Sequence, residues 1–136
     1  MNISKLYQQT RQITIDFCSP LKIEDYSIQV VPFASPVKWH LAHTTWFFET
    51  FILKKYVSDY EVFDPNFNFL FNSYYNNVGS RILQTNRGNM SRPSTDEIFA
   101  YRAYVDTKMQ DFLKDVSDKK ILGLVTLGLN NSTWSI

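Results

Sequence analysis

Residues 35–51 constrain the fold more than any other part of the chain, because they form a helix-length segment that is apolar on almost every face. The segment opens with Ser35-Pro36, and proline is favoured in the first turn of a helix, where its missing N–H costs little. From Trp39 onward, large apolar side chains surround the helix axis. A helix of this kind must be covered on all sides, so the sequence predicts a helical core element over residues 36–56.

Two other segments have the spacing of amphipathic helices. The first covers residues 3–18, and we expect Leu6, Ile13 and Phe17 to form its buried face. The last follows Ser117-Asp118, a helix-start signal, and continues from residue 119 to about residue 130. Its apolar stripe consists of Ile121, Leu122, Val125 and Leu129.

A further helix is predicted to begin after Ser94, because Ser94 and Glu97 have the three-residue spacing of a capping box. It runs to about residue 115. Its apolar face comprises Ile98, Tyr101, Val105, Met109, Phe112 and Leu113. We expect the solvent to contact Arg102, Asp106, Lys108 and Asp111. Four helices, with one long connection between the second and the third, predict an all-α four-helix bundle.

Composition narrows the class of protein. The chain has 136 residues, a length that suits one domain, and a formal net charge of +1. Proteins that bind nucleic acids or anionic membranes usually carry an excess of basic residues, and this chain has no such excess. Cys18 is the only cysteine, so no disulfide within the chain is possible. The first residues lack a signal-peptide core, and no segment approaches the roughly 18 apolar residues of a membrane span. We therefore expect a soluble cytoplasmic protein.

His40 and His43 are the only histidines, and both belong to the central segment. Residues three apart share a helix face, so the pair could bind one metal ion. The alternative is that both are core histidines bonded to backbone carbonyls or hydroxyls. Catalytic metal sites usually have about three protein ligands. Glu49 or Asp96 could add a carboxylate, but we expect Glu49 to pair with a nearby lysine or with solvent.

Two other features allow more than one interpretation. Arg81, Arg87 and Arg92 precede the third helix and could bind a carboxylate or phosphate, or could form a solvated basic loop. The aromatic run at residues 67–75 could line a pocket, although we favour a short helical segment that covers the side of the bundle. Cys18 is interpreted as a buried structural thiol.

Several motifs in one order give the chain a resemblance to a known family. They occupy residues 35–51, 70–75, 78–79, 87–88, 91–94 and 100–106. Together they closely resemble the N-terminal, DinB-like domain of ergothioneine-biosynthesis sulfoxide synthases (the EgtB family) over residues 5–130. The resemblance implies a single DinB-like domain over residues 1–136, with a divergent tail at 131–136.

The resemblance also implies a chemistry. These enzymes use iron(II) and O₂ to join a thiol, cysteine or γ-glutamylcysteine, to trimethylhistidine. Three histidines hold the iron, and the first corresponds to His43, with His40 as the alternative. Arg87 and Arg92, from the basic cluster before the third helix, are the candidates for substrate binding. A C-terminal domain supplies further substrate contacts and an acid tyrosine.

The chain departs from the family pattern in its last helix. Residues 127–130 agree with the family, but the two remaining ligand positions fall on Asn131 and Ser135, which do not replace imidazole on iron(II). We expect a fragment truncated before the second domain, by a frameshift or premature stop, that binds iron weakly or not at all and is inactive by itself. The alternatives are a non-catalytic helical module that forms a homodimer, and a metal site shared between chains through His40 and His43 of each.

Overall fold

The computed structural model describes residues 2–29, 35–72 and 92–134, with the backbone alone for 131–134. A 3₁₀ helix at Ile23–Ser27 follows the first helix. The α-helices are α1 (Ile3–Cys18), α2 (Val37–Phe48), α3 (Phe67–Phe71), α4 (Thr95–Leu113) and α5 (Lys119–Trp134). The part of the chain described here contains no β-strand, so the predicted all-α fold is confirmed. The four long helices form the bundle, and α3 lies in the long connection between α2 and α4.

Local side-chain caps explain why three of the helices begin where the sequence predicts. Asn2 Oδ1 accepts hydrogen bonds from the first turn of α1, at 3.0 and 3.3 Å. Ser94 and Glu97 form the predicted capping box at the start of α4, with both hydrogen bonds at 3.2 Å. Asp118 Oδ1 accepts two backbone N–H bonds at the start of α5. Each cap satisfies N–H groups that have no partner within the helix.

Helix α2 is the centre of the core, as its composition predicts. It packs against α4, α5, α3 and the 3₁₀ helix, and Trp39, Trp46 and Phe47 are all buried. Its backbone continues beyond Phe48 through one π-helical turn, Glu49–Leu53, and a last α-turn, Lys54–Tyr56. The predicted helix over residues 36–56 is therefore present, with a π-turn inside it.

Helix α5 lies so close to α2 that only a glycine fits at one contact. A Cβ atom on Gly128 would lie 2.6 Å from a Phe48 ring carbon and 2.7 Å from two Phe47 ring carbons. These distances are too short for an ordinary carbon contact. Gly128 thus sets the separation of the two helices.

The buried face of α1 differs from the predicted one. Tyr7, Arg11 and Cys18 point into the bundle, whereas Ile13 is 46% exposed and Phe17 is 65% exposed. The predicted apolar face was therefore wrong at Ile13 and Phe17, whereas Leu6 is partly buried and packs against the core. The buried position of Cys18 is confirmed. The reason is that the polar groups of the buried face find hydrogen-bond partners on α2 and α4, described below. None of the helices in the described ranges is long and apolar enough to cross a membrane.

Candidate functional site around His43

His43 lies on α2, and its hydrogen bond to α3 determines which nitrogen of the imidazole ring carries a hydrogen. Nδ1 is 2.7 Å from the backbone oxygen of Phe71. A carbonyl oxygen can only accept, so Nδ1 carries a hydrogen and donates it. In the neutral ring, Nε2 then carries the lone pair. Nε2 is thus the atom that could accept a further hydrogen bond or bind a metal ion.

Two indole rings enclose the imidazole. The His43 ring is stacked on Trp39, with centroids 4.6 Å apart and an interplanar angle of 12°. On its other side lies Trp46, at 5.6 Å and 19°. Positions 39, 43 and 46 share one face of a helix, so the sequence spacing itself produces the stack. The side chain is 9% exposed, and its ring has little freedom to tilt.

The two indoles hold α3 in place beside the histidine. Trp39 Nε1 donates to the backbone oxygen of Leu70 at 2.7 Å. Trp46 Nε1 donates to Asn68 Oδ1 at 2.9 Å. Phe67 and Phe71 are buried beneath this short helix. Residues 67–72 therefore cover the side of the bundle, as the sequence indicates; the rest of the aromatic run lies outside the described residues.

Of the other predicted site residues, His40 borders this arrangement, Arg92 lies apart from it and Arg87 is outside the described ranges. His40 is half-buried, with its ring edge-on to Trp39 at 5.5 Å. Arg92 is exposed before α4, and its Nη1 lies 3.8 Å from Glu97 Oε1, a surface ion pair of small energetic value. Arg87 is not among the described residues, so its proposed role in substrate binding stays a prediction.

The residues present fit a three-histidine iron site only in part. His43 offers a neutral imidazole with a defined lone pair, which suits a divalent transition metal. Within the described ranges, no three side chains of His, Cys, Asp or Glu form a group that could hold a metal ion. At the two other positions that the resemblance assigns, the sequence has an amide, Asn131, and a hydroxyl, Ser135. This donor set does not make a complete iron site.

Glu49 lies inside the bundle, which contradicts the expectation that it pairs with lysine or solvent. It is 3% exposed and begins the π-turn after α2. Its Oε2 accepts from the Tyr60 hydroxyl at 2.6 Å and from the Phe63 backbone N–H at 3.1 Å, and its Oε1 accepts from the Tyr101 hydroxyl at 3.0 Å. Burial and these carboxylate contacts raise the pKa of both tyrosines. Three donors compensate the burial of this charge.

A second buried polar cluster joins α1, α2 and α4. Arg11 Nε donates to Asp106 Oδ1 at 2.8 Å, and its Nη atoms donate to Thr44 and Thr45 hydroxyls at 3.3 and 2.6 Å. The Tyr7 hydroxyl donates to the same Asp106 oxygen at 2.6 Å. The prediction that Asp106 faces solvent was wrong, because its side chain is only 24% exposed and pairs with α1.

Arg102 is the largest departure from the predicted polar face of α4. It is 2% exposed, and its guanidinium donates to the backbone oxygens of Arg11 at 3.2 Å and Leu41 at 3.5 Å. Its Nε has no hydrogen-bond partner among the described residues. Burial and the nearby Arg11 charge lower the pKa of this guanidinium. Nothing in the spacing of α4 alone distinguishes this arginine from an exposed one.

Comparison with known families agrees with this architecture. The family model of the DinB superfamily matches residues 6–132, which is nearly the whole chain. The matched range includes all of α2, α3 and α4. The chain therefore belongs to the DinB superfamily. The comparison with curated proteins gave no match.

Proposed function

We propose that this DinB domain is of the sulfoxide-synthase type, and that His43 is the first of its metal-binding positions. One observation carries the proposal. His43 donates its Nδ1–H to a backbone carbonyl, which puts the lone pair of the neutral ring on Nε2, and metal-binding histidines usually donate their other ring N–H in this way. The resemblance of residues 35–51 to the sulfoxide synthases supports the same position.

The reaction proposed for the whole protein is the iron(II)- and O₂-dependent joining of cysteine or γ-glutamylcysteine to trimethylhistidine. Bound iron would supply the oxygen chemistry. The residues described above would bury and orient one of its ligands. Because Asn131 and Ser135 stand where imidazoles are needed, we expect this chain to bind iron(II) weakly and to form no sulfoxide by itself.

The two buried polar clusters have a supporting role in this proposal. Glu49 connects α2 to α4 through Tyr101, and Arg11 connects α1 to both of these helices. They fix α2, and hence the position of His43, relative to the rest of the bundle. Neither cluster contacts the His43 ring through any hydrogen bond described above.

Anaerobic titration with iron(II), followed by competition with a chromophoric chelator, tests the proposal. The parent chain should bind iron weakly, and the residual binding should disappear in His43→Gln but persist in the matched control His40→Gln. Tight binding of one iron per chain that survives His43→Gln would overturn the assignment. One iron per two chains, lost in either variant, would favour a site shared between chains.

A second candidate is a non-catalytic helical module that forms a homodimer. It is favoured by Ile13 and Phe17, two large apolar side chains about one turn apart that α1 exposes. Sedimentation measurements at several protein concentrations test it. A dimer should dissociate in Phe17→Ser but not in Phe69→Ser, a matched change at an aromatic residue exposed on α3. A monomer at all concentrations would reject this candidate.

A further inference from the structure

Three ring N–H groups of α2 donate to one short stretch of chain. Trp39 Nε1 donates to the Leu70 oxygen, His43 Nδ1 to the Phe71 oxygen and Trp46 Nε1 to Asn68 Oδ1, all between 2.7 and 2.9 Å. We propose that α3 is the orienting element of His43 and that Asn68 is a positioning residue, acting through Trp46. The consequence is that α3 decides which imidazole nitrogen carries the proton.

The tautomer found here needs an external cause. A neutral imidazole side chain in water favours the proton on Nε2, whereas His43 carries it on Nδ1 because the Phe71 carbonyl faces that atom. The position of this carbonyl depends on α3. A helix of five residues is far below the length that is stable alone, and α3 has no side-chain hydrogen bond at its N-cap. Its place must therefore come from contacts with the rest of the bundle. These are the three hydrogen bonds from α2 and the packing of the buried Phe67 ring on Tyr101 of α4.

Asn68 differs from the other two acceptors because its oxygen belongs to a side chain. The oxygens of Leu70 and Phe71 are backbone atoms that no substitution can remove. Asn68 Oδ1 holds the indole of Trp46, and that indole lies within 19° of the His43 ring plane. Asn68 thus acts on His43 indirectly, because it fixes the Trp46 ring on which the histidine stacks.

The inference rests on the proposed function in one respect only, the identification of Nε2 as the metal-facing nitrogen. The tautomer itself is a property of the metal-free chain. A result on the tautomer therefore tests the role of α3, while the iron titration tests the role of His43. Either can fail without the other.

Long-range ¹H–¹⁵N spectra of the chain labelled with ¹⁵N-histidine read the tautomer directly. They are recorded in mildly alkaline buffer, where an ordinary histidine is neutral. Only two histidines contribute, and His40→Gln assigns them. The parent chain should show His43 protonated at Nδ1. Asn68→Leu should shift the His43 signals toward the Nε2–H form, whereas Asn68→Asp, which keeps an acceptor oxygen, should retain the Nδ1–H form.

The matched control is Phe69→Leu, a change at an exposed position of the same short helix that should leave the tautomer unchanged. The inference is overturned if the parent His43 is protonated at Nε2. It is equally overturned if Asn68→Leu retains the parental spectrum while circular dichroism shows an intact fold. If Asn68→Leu does not fold, Trp46→Phe removes the donor and keeps a ring, and its spectrum decides by the same criterion.

Discussion

Glu49 places a carboxylate inside the bundle, where it accepts hydrogen bonds from the segment between α2 and α3 and from α4. Hydrogen bonds to a charged group contribute about 1.5–3 kcal/mol each, and donors left without an acceptor are costly. We expect Glu49→Ala to lower the free energy of unfolding by about 3 kcal/mol or more. Glu61→Ala, at an exposed position, should change it by less than about 0.5 kcal/mol. Urea denaturation of both variants measures the difference, and equal effects would show that Glu49 is not a centre of stability.

The tyrosines beside Glu49 make stability depend on alkaline pH. Burial and the Glu49 carboxylate raise the pKa of Tyr60 and Tyr101 in the folded chain. The folded state therefore keeps these protons when the unfolded state begins to lose them, at about pH 10. Their contribution is complete below that pH and is lost as the pH rises further. Lys38 and Arg102, whose pKa values are lowered, act in the opposite sense.

Comparison of the parent with Tyr101→Phe isolates the tyrosine contribution. The free-energy difference between the two chains should be constant below about pH 9 and should narrow above about pH 10. Chemical denaturation at a series of pH values measures it. A difference that stays constant through the alkaline range would mean that Tyr101 titrates alike in the folded and unfolded chains.

At the scale of single helices, α5 contains one glycine in a tight contact, Gly128, and one in open space, Gly123, so the same substitution can be compared at both. Alanine at position 128 would place a Cβ within 2.6–2.7 Å of the Phe47 and Phe48 rings, whereas position 123 has no atom within 4 Å of such a Cβ. Overpacking costs about 1–3 kcal/mol, and replacing glycine by alanine in an open helix position gains up to about 1 kcal/mol.

We therefore expect Gly128→Ala to lower the melting temperature and Gly123→Ala to raise it slightly. Thermal denaturation followed by circular dichroism compares the two. If Gly128→Ala is as stable as Gly123→Ala, the close contact between α2 and α5 is wrong.

The helix starts could be predicted because their signals are local. The Ser94–Glu97 capping box needs only four consecutive residues, and the apolar character of α2 follows from its own composition. The buried face of α1 could not be predicted in this way. Two stripes on α1 have helical spacing, and the polar one is buried because Asp106 of α4 and the α2 hydroxyls receive its donors. Those partners are distant in sequence.

The candidate site also combines features with a local sequence signal and features that depend on residues distant in sequence. The sequence could single out His43 as a candidate because the chain has only two histidines and both lie in the most distinctive segment. Its tautomer and its indole neighbours on both sides depend on the contact between α2 and α3. Glu49 was misjudged because its tyrosine partners, Tyr60 and Tyr101, lie 11 and 52 residues away.

At the scale of the whole molecule, a DinB bundle holds one oriented imidazole, and the resemblance assigns the other two ligand positions to Asn131 and Ser135. Histidines at these positions would be four residues apart, and residues four apart on a continuous helix share one face. The combined variant Asn131→His with Ser135→His should therefore gain iron binding.

Anaerobic iron(II) titration of this double variant, with helix content checked by circular dichroism, tests whether His43 is the first ligand. We expect one tightly bound iron per chain, abolished by adding His43→Gln and unaffected by adding His40→Gln. A folded double variant that binds no iron, or whose iron is insensitive to His43→Gln, would contradict the assignment of His43 as the first ligand.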